Sequence, residues 1–95
     1  MWILQGSETL FRLASGAVKT VGRAPRADFV VDAALVSRVH CRLTATNDRL
    51  EVVDLKSTNG TFVNDKRVKQ AHLFAGDRLR VGRIELTVER KVRHG

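Results

Sequence analysis

The chain has 95 residues, 43% of them hydrophobic, with 17 Lys and Arg against 10 Asp and Glu for a formal net charge of +7. That length suits one domain rather than two, and the apolar fraction is too high for a disordered tail. One Cys excludes an internal disulfide and a cysteine-rich zinc site, the short apolar runs exclude a transmembrane helix, and the charge calls for an anionic partner: nucleic acid, phosphopeptide or acidic membrane surface.

The first six residues have no basic n-region and no long apolar stretch, so they do not read as a signal peptide and an intracellular domain is expected. Strands are expected over 10–13, 18–21, 29–31, 41–46 and 61–63, and around Leu50 and Val52. Residues 32–36 have room for one turn and are too short for a helix. Asn47-Asp48 and Asn64-Asp65 read as turns, because both residue types tolerate positive φ. Near the end, Leu79 and Val81, then Ile84, Leu86 and Val88, alternate with polar residues, and the parity changes at Gly82-Arg83. A two-residue type II′ hairpin loop fits that change. Ten or so short strands without a helical stripe indicate an all-β sandwich or barrel. The domain is placed at 1–90, and the basic residues 91–95 read as a tail or the start of a linker.

Three short motifs fall in loops between these strands: Gly22-Arg23, Ser37-Arg38-Val39-His40 and Ser57-Thr58-Asn59-Gly60-Thr61. Each alone is weak. Together they gather guanidinium groups, hydroxyls and an amide. Their order and spacing, with Asp54-Leu55, Phe62-Val63-Asn64 and the run from Gly76 to Gly82, resemble the forkhead-associated (FHA) domain. The resemblance implies a two-sheet β-sandwich of about eleven strands that binds phosphothreonine peptides, with no catalytic activity and no cofactor.

On that resemblance, Arg23, Ser37, Arg38, Thr58 and Asn59 form the phosphopeptide site. The chemistry suits the task. A phosphate carries about −1.5 to −2 charge and three strong acceptors. A guanidinium matches it with a rigid fork of donors. The Ser37 hydroxyl can donate, and its backbone N–H is expected to contribute to an anion nest. Asn59 both donates and accepts, as a contact to a peptide backbone requires. Leu35 and Val36 are expected to read a neighbouring peptide residue with an apolar or permissive preference, and Lys56 to add charge. Gly22, His40 and Gly60 are expected to be structural, with His40 bracing the Ser37 loop. Cys41 reads as a buried small hydrophobe, Trp2 as an edge-packing residue, and His72 and His94 as surface residues without metal-ligand spacing.

The resemblance implies a phosphorylated protein partner, no membrane or nucleic acid, and a monomeric domain in signalling. The start Met1-Trp2-Ile3-Leu4 is similar to that of a DNA double-strand-break repair protein, which implies a nucleus and the DNA-damage response. A bacterial signalling or secretion adaptor is the alternative context. A basic nucleic-acid-binding β domain is the rival class, but one Trp, four Phe and no Tyr make a poor stacking platform, and no recognition helix is visible. Ser37, His40 and Asp54 contain the residue types of a hydrolytic triad, without a nucleophile elbow.

Overall fold

A computed structural model of the chain describes residues 1–91. His94 and the rest of the expected tail beyond Lys91 lie outside the described residues. The described residues form eleven strands in two sheets. The six-stranded sheet runs β2 (Leu10–Leu13), β1 (Trp2–Gln5), β11 (Ile84–Arg90), β10 (Arg78–Val81), β7 (Thr61–Val63), β8 (Lys66–Val68). The five-stranded sheet runs β4 (Phe29–Val30), β3 (Val18–Gly22), β5 (Cys41–Ala45), β6 (Leu50–Asp54), β9 (Gln70–Leu73). This is the expected all-β sandwich. Period-two alternation sends Leu79, Val81, Leu86 and Val88 inward from one sheet, to meet Leu43, Leu50, Val52 and Leu73 from the other.

Two contacts tie the layers beyond this core. Phe11 of β2 stacks on Phe29 of β4, with ring centroids 4.3 Å apart, so two edge strands from different sheets close on each other. Trp2 is buried, and its indole N–H donates to the Thr46 carbonyl at 2.8 Å across the sandwich. Cys41 is also fully buried, and burial, reinforced by the Asp54 charge, pushes its thiol up to about 12.

Three strands were not expected from the pattern. β1 has three consecutive buried residues because Ile3, on the outward row, is flanked by Arg12 and Glu89 from neighbouring strands. β8 is mostly polar and β9 is a four-residue alternation that sends only Leu73 fully into the core; both are set by pairing with β7 and β6. Asn64 and Asp65 both take positive φ, 49° and 69°, the backbone of a two-residue type I′ hairpin that folds β8 onto β7. Gly82 alone is positive in its hairpin, as type II′ requires. Asn47-Asp48 differs: neither residue has positive φ. There the Thr46 hydroxyl accepts the N–H groups of Asp48 and Arg49 and stabilises a longer turn.

Sheet register decides where the motif loops meet. Val21 at the end of β3 lies opposite Cys41 at the start of β5, and Cys41 lies opposite Asp54 at the end of β6. In the facing sheet, Val81 at the end of β10 lies opposite Thr61 at the start of β7. The loops that follow β3, β4 and β6 therefore emerge at one end of the sandwich.

Candidate functional site

The site starts with a glycine. Gly22 closes β3, and a Cβ there would lie 2.1 Å from the Arg38 carbonyl oxygen, so only glycine lets the 37–39 backbone approach. Two backbone bonds use that approach: Arg23 N–H to Ser37 O at 2.9 Å and Ala24 N–H to Arg38 O at 3.0 Å. The first two motifs are thus stitched side by side. The Arg23 Nε–H donates to the Val36 carbonyl at 3.2 Å. This anchors the root of an exposed guanidinium and leaves its two terminal NH2 groups without a protein partner among the described residues.

Ser37 is engaged on two sides. Its N–H donates to His40 Nδ1 at 3.0 Å, and its hydroxyl oxygen accepts the Thr58 N–H at 3.0 Å. The hydroxyl proton remains to be donated, but the backbone N–H does not. The anion nest expected from that N–H is therefore not formed, because His40 occupies it. His40 is fully buried. Since Nδ1 accepts, Nε2 carries the proton and donates to the Gly60 carbonyl at 2.8 Å. One imidazole thus joins the Ser37 loop to the Gly60 loop.

Asp54 organises the second loop. Its Oδ1 accepts the Ser57 hydroxyl at 2.5 Å and the Thr61 hydroxyl at 2.7 Å, and its Oδ2 accepts the Ser57 N–H at 3.1 Å. The Ser57 hydroxyl oxygen in turn accepts the Gly60 N–H. Partial burial pushes the Asp54 carboxyl up, but the hydrogen bonds from Ser57 and Thr61 outweigh it and hold the carboxyl below its ordinary 3.8. The spacing Asp54-x-x-Ser57 is a side-chain-to-backbone turn pattern that sequence reasoning passed over, though it was legible.

Asn59 donates its amide to the Leu35 carbonyl at 3.1 Å. A carbonyl can only accept, so the Asn59 oxygen faces the other way and remains an acceptor. Leu35 and Lys56 both hold positive φ, 72° and 57°, which costs a side-chain-bearing residue about 1 kcal/mol or more. The Asn59 amide holds the Leu35 carbonyl, and the bond from Ser57 N–H to Asp54 closes the turn that contains Lys56.

These residues line one open depression of about 700 Å³: Arg23, Ser37, Arg38, Thr58 and Asn59, with Leu35 and Lys56. Three cations, Arg23, Arg38 and Lys56, face a single carboxylate, Asp32, which sequence reasoning did not single out. Val36 is the exception among the expected specificity residues. Its side chain is 3% exposed and packs in the core, so its contribution is the carbonyl that anchors Arg23. Leu35 is 44% exposed and keeps an available side chain. Ser37, His40 and Asp54 do not form a triad. Both His40 nitrogens are committed to backbone groups, and the Asp54 oxygens to Ser57 and Thr61.

The family model for the FHA domain matches residues 19–82. Among curated proteins, the chain is 42% identical over 86 residues to an ABC transporter ATP-binding/permease protein of Mycobacterium tuberculosis, covering 90% of this chain and 10% of that one. It is 38% identical over 74 residues to the glycogen accumulation regulator GarA of the same species, covering 78% of this chain and 46% of that one. The chain thus spans a tenth of the transporter and under half of the regulator. Among solved structures, one from a study of phosphothreonine-dependent FHA domain interactions superposes with a TM-score of 0.89 at 30% identity, covering 97% of this chain and 98% of that one. The FHA domain of FhaA, solved with the intracellular domain of a second protein, gives 0.86 at 32% identity over 94% of this chain and all of that one. EmbR of Mycobacterium tuberculosis, solved with a low-affinity phosphopeptide, gives 0.86 at 30% identity over 99% of this chain and 26% of that one. These curated relatives are bacterial and lend no support to the nuclear, DNA-repair reading of the first four residues.

Proposed function

Since the chain belongs to the FHA domain family, we propose that it binds phosphothreonine peptides and mediates phosphorylation-dependent protein–protein contact in bacterial signalling. The observation that carries this reading is the Arg23–Ser37–Arg38–Thr58 end of the depression. There, guanidinium donors without a protein partner among the described residues and a free Ser37 hydroxyl proton line a space in which Asp32 is the single carboxylate. The terminal NH2 groups of Arg23 grip the phosphate, Arg38 adds a second cation, and the Ser37 and Thr58 hydroxyls donate to the remaining oxygens. The Asn59 oxygen receives a backbone N–H of the peptide beside the phosphoresidue. Leu35 alone supplies the apolar contact, because the Val36 side chain is buried in the core.

Solved FHA relatives that carry peptides or partner domains support this reading. The preference for threonine over serine rests on one methyl group, and its burial contributes about 0.8 kcal/mol. The domain acts by binding rather than by catalysis, works inside the cell as a monomer, and needs no cofactor. The nucleic-acid reading is tested in the same experiment. The chain is titrated with a pool of peptides degenerate except for one phosphothreonine, with the unphosphorylated pool, and with duplex DNA at two salt concentrations. Selective binding of the phosphorylated pool is expected. Equal weak binding of both pools alongside tight DNA binding would overturn the proposal.

A further inference from the structure

A second depression, of about 650 Å³, adjoins the first through Lys56 and is lined by Asp54, Lys56, Ser57, Arg67, Val68 and Lys69. Its cations come from different elements: Lys56 from the β6–β7 loop, Arg67 from β8, and Lys69 from the residue between β8 and β9. All three are exposed. Among the described residues none of them makes an ion pair, whereas Arg78 and Arg90 each do. The one carboxylate in the lining, Asp54, spends both oxygens on Ser57 and Thr61. Three cations against one carboxylate leave two positive charges facing the concavity. Arg67 also lies against the loop that carries Thr58 and Asn59: its Nε is 2.7 Å from where a Gly60 Cβ would stand. The cationic shelf therefore borders the phosphothreonine end and shares Lys56 with it.

Like charges gathered in one concavity repel each other, and an anion placed among them relieves that repulsion. We infer that this shelf of Lys56, Arg67 and Lys69 receives a second anionic side chain of the same bound peptide, a further phosphoresidue or a carboxylate at a fixed distance from the phosphothreonine. The inference rests on the peptide reading of the first depression. It adds that the domain selects doubly anionic segments, and that the charge surplus at this end is a specificity element.

The test uses the intact chain and peptide pools degenerate except for one phosphothreonine. Companion pools carry a second phosphoserine, or a glutamate, at each position in turn out to about six residues on either side, a reach of about 20 Å each way in extended chain. A single spacing is expected to tighten binding by roughly tenfold, with phosphoserine above glutamate. Lys69→Glu is expected to abolish that gain while leaving the singly phosphorylated pool bound as before. An equal gain at every spacing, no gain at any, or a gain that survives Lys69→Glu overturns the inference. So does duplex DNA binding that Lys69→Glu removes in the absence of a spacing-dependent peptide gain. Normal binding of the singly phosphorylated pool without any gain defeats the shelf alone. No binding of any phosphorylated pool defeats the function proposal and the shelf with it.

Discussion

The buried imidazole of His40 donates to the Gly60 carbonyl at 2.8 Å while its other nitrogen accepts the Ser37 N–H. Two loops from different strands are thereby held in one geometry by a single side chain. The chemistry needs a neutral ring that accepts at Nδ1 and donates at Nε2 within a fully buried volume.

His40→Ala removes both bonds and leaves a cavity. Buried backbone groups then lose partners, at about 1–3 kcal/mol each, and the lost packing adds to that. The expected result is a loss of about 3–4 kcal/mol in urea unfolding. Phosphopeptide affinity is expected to drop as well, although His40 touches no ligand. A variant that unfolds at the wild-type midpoint would remove His40 from this bracing role.

Arg23→Ala separates binding from folding. The side chain is exposed, and its bond to the protein is one contact to a carbonyl. Its removal is expected to leave the unfolding midpoint within about 0.5 kcal/mol of wild type. Bonds to a charged phosphate contribute about 1.5–3 kcal/mol, so affinity is expected to fall roughly ten- to a hundredfold or more. Calorimetric titration with the phosphopeptide pool measures this directly, and unchanged affinity would remove Arg23 from the site.

The strands with clean alternation were legible in the sequence, and so were the loop motifs. Leu79 to Val88 declares its register through polarity alone. β1 was hidden because its outward Ile3 is covered by neighbours that only the folded sheet supplies. β8 was hidden because an edge strand of Lys66, Arg67 and Val68 carries little apolar signal, and β9 because its alternation is only four residues long with small Ala71 at one of its two inward positions. In the site, residue types identified the donors, but only the fold shows which donors are already spent. The Ser37 N–H and the Val36 side chain looked available and are committed elsewhere. Asp54, one of the three residue types of a triad, is a loop brace.

Gly22→Ala tests the close approach that joins the first two motifs. The added carbon would meet backbone, which cannot rotate away as a long side chain could. The 37–39 loop must retreat, and the bonds from Arg23 N and Ala24 N open with it. A loss of about 3 kcal/mol or more is expected in denaturant unfolding, with phosphopeptide binding impaired in whatever remains folded. Wild-type stability in this variant would show that the contact is not needed.

The Asp54 brace gives the domain an acid-sensitive component. Its folded carboxyl lies below the ordinary 3.8, because the bonds from Ser57 and Thr61 outweigh the cost of burial. A depressed folded value means the unfolded chain takes up the proton first as pH falls. The stabilisation is therefore complete above the unfolded value and is lost as pH drops through the folded one. Urea midpoints are expected to decline as pH is lowered from about 5 toward 3. Asp54→Asn is expected to be less stable at neutral pH and to show a shallower decline. Some slope should persist in that variant, because Asp28, with its carboxyl lowered by the Thr20 backbone N–H and hydroxyl, titrates in the same range. Because the Asp54 bonds also set the Ser57–Gly60 turn beside Thr58 and Asn59, the same variant should bind the phosphopeptide pool less tightly at neutral pH. An acid decline identical to wild type would assign that sensitivity to other carboxylates.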